Sequence, residues 1–351
     1  MSASALQARY RLQPPAFAPS PYPHNGPDMD RVAEAMEALI RADPGRHDSD
    51  AASQRIGVLQ QTLTGAQTLR ALRFALTRFA EGGLEPTAGM GFGDGLAGCI
   101  RHAGSQAQAV RSAIARRQFR LVYQPVVSIA DRRVHHFEAL LRPIQSASVP
   151  ALSTQEFVTF SEAVGLSEEL DLAVLEQVLA ALRRAPAIRI AMNLSGQSIQ
   201  SPDFQRRMFA MISTAPAGAM AGRLMIELTE TAEIEDVAAA AAMLDRLRAV
   251  GVPVCIDDFG AGSAAFRYLR DFRVDYVKID GAYVRAAANG ERERGFVASM
   301  HDLARSVGAQ VIAETIETEA QAALMVSLGV QLGQGWLFGR PAPLLGSKPR
   351  G

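Results

Sequence analysis

The stretch VPVCIDDFGAG, residues 252–262, joins a short apolar strand pattern to two adjacent carboxylates and a glycine-containing turn. A continuous apolar strand is typical of a sheet that is covered on both faces. In a regular strand the side chains of Asp257 and Asp258 would point to opposite faces. Because the chain turns at once through Gly260 and Gly262, we expect both carboxylates to reach one cavity at the end of the strand.

A polar side chain near the end of an apolar run recurs along the chain. It appears in five further segments, FEALLRP, IAMNLS, LMIELTE, YVKID and VIAET, whose polar residues are Glu138, Asn193, Glu227, Lys278 and Glu314. A single acidic residue at a strand end is most often a helix cap or a solvated charge, but that interpretation does not explain the whole series. A (β/α)8 barrel presents polar groups in this way, because its active face lies at the carboxyl ends of successive strands.

Strand and helix patterns alternate between residues 105 and 343, and most connections are long enough for a crossover helix. The exception is the pair of strand patterns at 120–128 and 134–142, whose short connection requires antiparallel pairing. We therefore predict an α/β fold, a modified TIM (β/α)8 barrel with one antiparallel strand, preceded by a small helical N-terminal region. An open, doubly wound sheet is the alternative, although no strand is followed by a glycine-rich phosphate-binding turn.

The predicted domain organisation has four parts. Residues 1–28 contain six prolines and little apolar periodicity, which predicts a disordered, Pro-rich tail. Apolar residues at helical spacing predict a helical, regulatory region over 29–104, in which no motif identifies a chemistry. The barrel is assigned to 105–343 and a short tail to 344–351.

The composition excludes several classes of protein. The 36 basic and 36 acidic residues balance, so the chain has no broad positive charge for DNA, RNA or an anionic membrane. The two cysteines are too few for a disulfide framework or a zinc site. We find neither an apolar stretch of membrane-spanning length nor a signal peptide, and we expect a cytoplasmic protein with no membrane span.

The type of ligand predicts the type of metal. Five carboxylates cannot converge unless metal ions or protons offset their repulsion. Carboxylate and amide oxygens suit Mg²⁺ or Mn²⁺ and argue against zinc or copper. There are enough carboxylates for two ions bridged by one Asp, an arrangement that suits in-line displacement at a phosphodiester. His135 and His136 lie close to Glu138 in sequence, and we expect them to have a polar or packing role further down the barrel.

Eight ordered motifs resemble those of the EAL domain family, the bacterial signalling phosphodiesterases that open cyclic di-GMP to linear pGpG. The resemblance runs from about residue 112 to 343, roughly two thirds of the chain. The motifs are YQP, EALLR, NLS, ELTE, DDFGAG, KID, AETIE and QGWLFGRP, the first at 123–125 and the last at 334–341. The resemblance implies hydrolysis of cyclic di-GMP to 5′-pGpG by in-line attack of water at a site with two Mg²⁺ or Mn²⁺ ions, and a homodimer formed through the barrel.

The resemblance also implies which residues hold metal. One ion would be held by Glu138, Asn193, Glu227 and Asp257. Asp257 would bridge to a second ion, which Asp258 and Glu314 would complete.

Further roles are implied around the metals. Lys278 would orient or help to activate the attacking water, and Glu314 would share in general base work. Gln334 would assist close to the metals and the water, and Glu230 would brace the loop after Asp258 without binding metal.

Two residues of EALLR, Leu140 and Arg142, would contact the substrate, the guanidinium matching a phosphate in fork geometry. The chain departs from the family pattern in two places, the loop DFGAGSAAF at 258–266 and Thr315, where the family has glycine. A β-branched residue fits a strand, and we expect Thr315 to do so while crowding the rim of the cavity. The altered loop motivates the hypothesis of a catalytically weak or inactive domain, stated below.

Three functional hypotheses follow. The first is an active cyclic di-GMP phosphodiesterase, and the second is a catalytically weak or inactive EAL domain that acts as a cyclic di-GMP receptor or protein-docking module. The third is a metal hydrolase that acts on another phosphodiester. In each case the helices within 29–82 would control dimerisation or receive a regulatory protein partner.

Overall fold

The computed structural model describes residues 95–145, 152–214, 220–229, 234–261 and 265–344, together with Gln67, Arg70, Ala71 and Phe74. Within these residues eight strands form a closed barrel in the order β1 to β8. The strands are β1 (Phe119–Ser128), β2 (Val134–Pro143), β3 (Ile190–Asn193), β4 (Leu224–Thr229), β5 (Val254–Phe259), β6 (Tyr276–Ile279), β7 (Gln310–Ala313) and β8 (Leu332–Gln334).

Strand β1 is antiparallel to both of its neighbours, β2 and β8, and the remaining neighbouring pairs are parallel. The short connection at residues 129–133 causes this, since it has no room for a crossover. The predicted barrel with one antiparallel strand is therefore confirmed, and the alternative of an open, doubly wound sheet is wrong.

Helices follow the strands around the barrel. They are α1 (Gly95–Ala115), α2 (Thr154–Ala163), α3 (Ser167–Arg184), α4 (Gly196–Gln200), α5 (Pro202–Ser213), α6 (Val237–Ala249), α7 (Ala265–Asp271), α8 (Gly281–Ala286), α9 (Glu291–Ser306) and α10 (Glu319–Ser327). None of these helices, which cover only the described part of the chain, is long and apolar enough to cross a membrane.

The core lies between the sheet and its helices. Val254, Cys255 and Ile256 of β5 are fully buried in succession, as expected for a strand that is covered on both faces. On α3 the side chains of Leu175 and Leu182 are fully buried on the face towards the barrel. This helix also has acidic residues in its first turn and arginines in its last, which complements the helix dipole.

Two short helices, α4 and α8, were not predicted. Each follows directly on a strand that carries a site residue, and each begins at a side-chain cap: Ser195 accepts from Ser198 N, and Asp280 accepts from Ala282 N. Helices of this length are too short to produce an apolar period in the sequence.

The predicted boundary at residue 105 falls inside α1, which begins at Gly95. Most of the predicted helical region and both predicted tails lie outside the described residues. Of that region, Phe74 packs edge-on against Phe160 of α2, with ring centroids 5.2 Å apart. Gln67 Nε2 donates to the carbonyl of Gly165, 3.3 Å away, in the turn between α2 and α3.

Candidate metal centre

The predicted site residues that the structure describes lie on, or just beyond, seven of the eight strands, β2 to β8. Asn193 of β3 lies opposite Glu227 of β4 in the parallel register, and Asp257 of β5 lies opposite Thr229 of β4. Glu138 occupies the fifth position of the ten-residue strand β2, so it lies in the middle of its strand rather than at the end.

Lys278 lies at the centre of this group. Its Nζ is 2.8 Å from Glu314 Oε1, 2.9 Å from Asp257 Oδ1, 3.3 Å from Glu138 Oε2 and 3.4 Å from Glu227 Oε2. The side chain is only 1% exposed. Burial alone would lower the pKa of this ammonium, but the surrounding carboxylates outweigh burial and raise the pKa well above its usual value.

The carboxylates form two groups that share one member. Oxygen atoms of Glu138, Glu227 and Asp257 all lie within 4.8 Å of one another, and so do oxygen atoms of Asp257, Asp258 and Glu314. We call these five residues the carboxylate cluster. A pair of cation sites with Asp257 between them is the simplest occupancy that this arrangement allows.

The charge of the cluster is not balanced by the protein alone. Five carboxylates against one ammonium leave four negative charges in excess when all are ionised, as much as two divalent cations would neutralise. Burial raises the pKa of Asp258 to about 6 and that of Glu314 to about 8; the neighbouring carboxylates add to this effect, and Lys278 opposes it. Burial also raises the pKa of Glu227 well above its usual range. The site therefore favours either protons or cations.

Glu138 is held differently from the other carboxylates. Gln334 Nε2 donates to its Oε2 at 2.6 Å, and Asn193 Nδ2 donates to its Oε1 at 3.1 Å. Burial alone would raise the pKa of Glu138, but Lys278 and these two hydrogen bonds bring the pKa below its usual value. Gln334 and Asn193 thus hold Glu138 as an ionised carboxylate with a fixed orientation.

Several buried oxygen atoms at the site lack a hydrogen-bond partner among the residues that the structure describes. They include Asn193 Oδ1 and Glu227 Oε1. An unpartnered buried oxygen is costly in free energy, and a bound cation would remove that cost. Because these donors are carboxylate and amide oxygens, the residues present fit Mg²⁺ or Mn²⁺.

The backbone explains how two consecutive aspartates reach the same cluster. Asp258 adopts a left-handed conformation, with φ of 56°. The β5–β6 register shifts between Ile256 and Phe259, which cancels the alternation of a regular strand. Just beyond, Tyr283 Oη of α8 donates to the carbonyl of Gly260 at 2.9 Å. The expected turn is present, and the departure from regular strand geometry begins at Asp258 itself, two residues before Gly260.

We expected Thr315 to lie in a strand, and this expectation is wrong. Strand β7 ends at Ala313, and Thr315 lies beyond it with φ of 55°, in the left-handed region that a β-branched residue seldom adopts. Its side chain lies over Gly281, where an added Cβ would collide with it. The expectation that it lies at the rim of the cavity agrees with its position in the cavity wall.

We expect Thr315→Gly to raise the free energy of unfolding by about 1 kcal/mol. Relief of left-handed strain, about 1–3 kcal/mol, should exceed the extra unfolded-state entropy of glycine, about 0.5–1 kcal/mol. Urea unfolding of the metal-free protein measures the change. Thr315→Ala is the matched control, because it keeps the strained Cβ and should gain less. A glycine variant no more stable than the wild type would contradict the strain.

Asp171 of α3 supports the segment that follows Asn193. Its Oδ2 accepts hydrogen bonds from Ser195 N at 3.1 Å and from Ser195 Oγ at 2.8 Å. Burial raises the pKa of Asp171 to about 6, despite these hydrogen bonds and one from Ser198. This residue was not identified from the sequence, because the contact joins elements that are 24 positions apart.

The raised pKa of Asp171 makes stability depend on pH. The folded protein binds this proton more tightly than the unfolded chain does, so the contribution is largest below about pH 4 and is lost as the pH rises through 6. Between pH 7 and pH 5 the wild type should gain about 1 kcal/mol relative to Asp171→Asn, which cannot titrate. Urea unfolding of both proteins at the two pH values measures this difference, and equal pH dependence would contradict the assignment.

The carboxylate cluster opens into a cavity of about 180 Å³. Leu140 lines it, on the same face of β2 as Glu138. Arg142 lies two residues further along β2, and its Nη1 donates to the carbonyl of Leu141 at 2.8 Å. Its predicted contact with substrate stays a prediction, and Glu230 lies outside the described residues.

Other residues of the cavity wall were not assigned from the sequence. Gln124 lies opposite Glu138 in the β1–β2 register and also reaches Gln334, with Nε2 of Gln334 3.3 Å from its Oε1. Trp336 is 57% exposed, and the guanidinium of Arg340 lies 4.3 Å from the centre of its ring. Both Gln124 and Trp336 fall within the quoted motifs YQP and QGWLFGRP, which was the only signal available.

The two histidines lie below the cluster, towards the amino-terminal ends of the parallel strands. His136 is fully buried, and burial, with neighbouring charges, lowers its pKa to about 3. Its Nε2 is 4.0 Å from Glu227 Oε1. His135 is half-buried, and burial together with Arg189 lowers its pKa. Both imidazoles are therefore neutral near pH 7.

Residues 107–341 match the family model described as EAL domain, and the chain belongs to the EAL domain family. The match covers the whole barrel and every residue of the carboxylate cluster.

Two relatives illustrate the extent of the similarity. "Cyclic di-GMP phosphodiesterase PdeB" of Shewanella oneidensis is 31% identical over 255 residues, which cover 70% of this chain and 29% of that protein. The uncharacterized protein Rv1357c of Mycobacterium tuberculosis is 32% identical over 246 residues, 67% of this chain and 79% of that protein. The chain spans about a third of the length of several curated relatives, between 29% and 33% of three of them.

Among solved structures, that described as "PaMucR Phosphodiesterase, c-di-GMP complex" has a TM-score of 0.58 to this chain and is 28% identical. The alignment covers 67% of this chain and 96% of that one.

Proposed function

We propose that the barrel hydrolyses cyclic di-GMP to linear 5′-pGpG with two Mg²⁺ or Mn²⁺ ions. The observation that carries the proposal is that the five carboxylates form two groups, which share Asp257 and surround the buried Lys278. Membership of the EAL family and the likeness to proteins named as cyclic di-GMP phosphodiesterases support the choice of substrate.

The chain's own residues would divide the work. Glu138, Asn193, Glu227 and Asp257 would hold one ion, and Asp257, Asp258 and Glu314 the other. Bound divalent ions would supply a more acidic water and neutralise the charge that develops on the leaving 3′ oxygen. Lys278 would donate hydrogen bonds that fix the attacking water, Glu314 would accept its proton, and Gln334 would hold Glu138 in place.

The negative charge of the substrate also favours bound cations at the carboxylate cluster. A cyclic dinucleotide carries two phosphodiester anions, which the carboxylate cluster would repel unless cations were bound. Leu140 and Arg142 would contact the ligand along the inward face of β2. Catalysis and substrate binding would therefore both depend on the same ions.

The test is to incubate the purified protein with cyclic di-GMP and Mn²⁺ or Mg²⁺ and to resolve the nucleotides by chromatography. We expect pGpG to form, to disappear with a chelator and to return when the metal is restored. Tight binding without product would favour a receptor. Preference for another phosphodiester over cyclic di-GMP would favour the third hypothesis.

The homodimer through the barrel, a cytoplasmic location and a regulatory partner for the N-terminal region stay predictions. Removal of residues 1–104, or of residues 1–94 so that α1 is retained, tests the prediction of a regulatory partner. Unchanged hydrolysis and unchanged oligomeric state would contradict it.

A further inference from the structure

A chain of polar contacts runs from the amino-terminal end of the barrel up to the carboxylate cluster. It begins at Arg189, which directly precedes β3, and continues through His135 and His136 of β2 to Glu227 of β4. The successive separations are 3.5 Å from Arg189 Nη1 to His135 Nε2, 2.8 Å between the two histidine Nδ1 atoms, and 4.0 Å from His136 Nε2 to Glu227 Oε1. None of the first three residues has a part in the proposed function.

The contacts determine where the protons lie. A guanidinium can only donate, so His135 Nε2 must accept, and the single proton of a neutral His135 must be on Nδ1. Nδ1 then donates to His136 Nδ1, which leaves the proton of His136 on Nε2. Tyr276 Oη, 3.5 Å from His135 Nε2, is a hydroxyl and can donate to the same acceptor.

The His136 proton thus points towards Glu227. Both His136 Nε2 and Glu227 Oε1 are buried and lack a hydrogen-bond partner among the residues described. Their separation of 4.0 Å exceeds the usual hydrogen-bond length by about 1 Å. A small rotation of the Glu227 carboxylate would bring Oε1 within hydrogen-bond distance of His136 Nε2, and each atom would then have a partner.

We propose that His136 is a positioning residue that donates its Nε2 proton to Glu227, and that Arg189 sets this tautomer through His135. The proposal rests on the proposed role of Glu227 as a metal ligand. The hydrogen bond would use one lone pair of Oε1. The second lone pair of Oε1, together with Oε2, which Lys278 Nζ approaches to 3.4 Å, would still be able to face a cation. Residues that orient a metal ligand in this way typically contribute about 10–100-fold to metal affinity.

The first test reads the tautomers directly. Long-range ¹H–¹⁵N NMR spectra of the histidine rings in the full-length protein, at about pH 8, where neutral imidazole is the expected form, show which nitrogen is protonated. We expect the proton on Nδ1 in His135 and on Nε2 in His136. A His136 protonated on Nδ1 would overturn the proposal, whether or not the protein hydrolyses cyclic di-GMP.

The second test reverses the direction of these hydrogen bonds by a substitution at Arg189, which is exposed. Arg189→Glu replaces a donor with an acceptor, so His135 should donate from Nε2, His136 should donate from Nδ1, and a lone pair of His136 should face Glu227. Mn²⁺ affinity, measured by calorimetry without nucleotide, should weaken by about 10-fold or more. General electrostatics predicts the opposite sign, because a more negative protein attracts Mn²⁺ more strongly.

Controls separate the tautomer from charge and packing. The same charge reversal at the exposed Arg207 of α5, Arg207→Glu, should leave Mn²⁺ affinity unchanged or slightly higher. His136→Leu removes the donor and should weaken Mn²⁺ binding, whereas His136→Gln keeps a donor and should restore most of it. Tautomers that do not invert in Arg189→Glu, or inverted tautomers with unchanged affinity, would overturn the proposal.

Discussion

Replacing Lys278 with methionine should abolish most hydrolysis and make folding depend on metal. The ammonium is within 3.4 Å of four carboxylates and is 1% exposed, so its loss leaves these carboxylates without a counter-charge in the metal-free protein. We expect the free energy of unfolding to fall by about 3 kcal/mol in the presence of a chelator. We expect kcat to fall by about 10²–10⁴-fold, because the water loses its fixed donor.

The Lys278→Met variant should nevertheless bind Mg²⁺ or Mn²⁺ at least as tightly as the wild type. Thermal unfolding with and without metal measures this, and the variant should gain more stability on metal addition than the wild type does. The double variant Lys278→Met with Glu314→Gln is the matched control. It should recover part of the metal-free stability without recovering hydrolysis. A metal-free Lys278→Met protein as stable as the wild type would contradict the charge argument.

Asp257→Asn should impair both metal positions at once, because Asp257 is the member common to the two carboxylate groups. An amide is a neutral and weaker ligand, and it can bridge two cations less well than a carboxylate. We expect kcat to fall by about 10³-fold or more and the number of bound Mn²⁺ ions per chain to fall below two. Calorimetric titration with Mn²⁺ gives the stoichiometry, and pGpG formation gives the rate.

The control for Asp257→Asn is the same chemical change outside the cluster. Asp236 caps α6, and its Oδ1 accepts from Ala239 N at 2.9 Å. Since Asn caps a helix about as well as Asp, Asp236→Asn should retain near wild-type activity and stoichiometry. An Asp257→Asn enzyme that still binds two ions and turns over normally would show that Asp257 is not the shared ligand.

The fold was predictable from local pattern. The strands end in polar residues and alternate with helices, and the short connection after β1 forces that strand to be antiparallel. What local pattern could not give were α4 and α8, which are too short to show a period. The strand predicted at 134–142 already placed Glu138 in its middle, and the observed β2 ends only one residue later, at Pro143.

The composition of the site was predictable and its electrostatics were not. Sequence identified the carboxylates because they recur at strand ends. That Lys278 contacts four of them follows from the closure of the barrel, which brings together residues up to 140 positions apart. The left-handed backbone at Asp258 and Thr315 was also missed. A glycine in the sequence suggests a left-handed conformation, whereas an aspartate or a threonine does not.

The most direct test of a two-cation site is anomalous diffraction from a crystal of the protein grown or soaked with Mn²⁺. We expect two anomalous peaks, one beside Glu138, Asn193 and Glu227 and the other beside Asp258 and Glu314, with the carboxylate of Asp257 between them. A single peak that Asp257 does not contact, or no peak at the carboxylate cluster under conditions that support hydrolysis, would contradict a two-cation site.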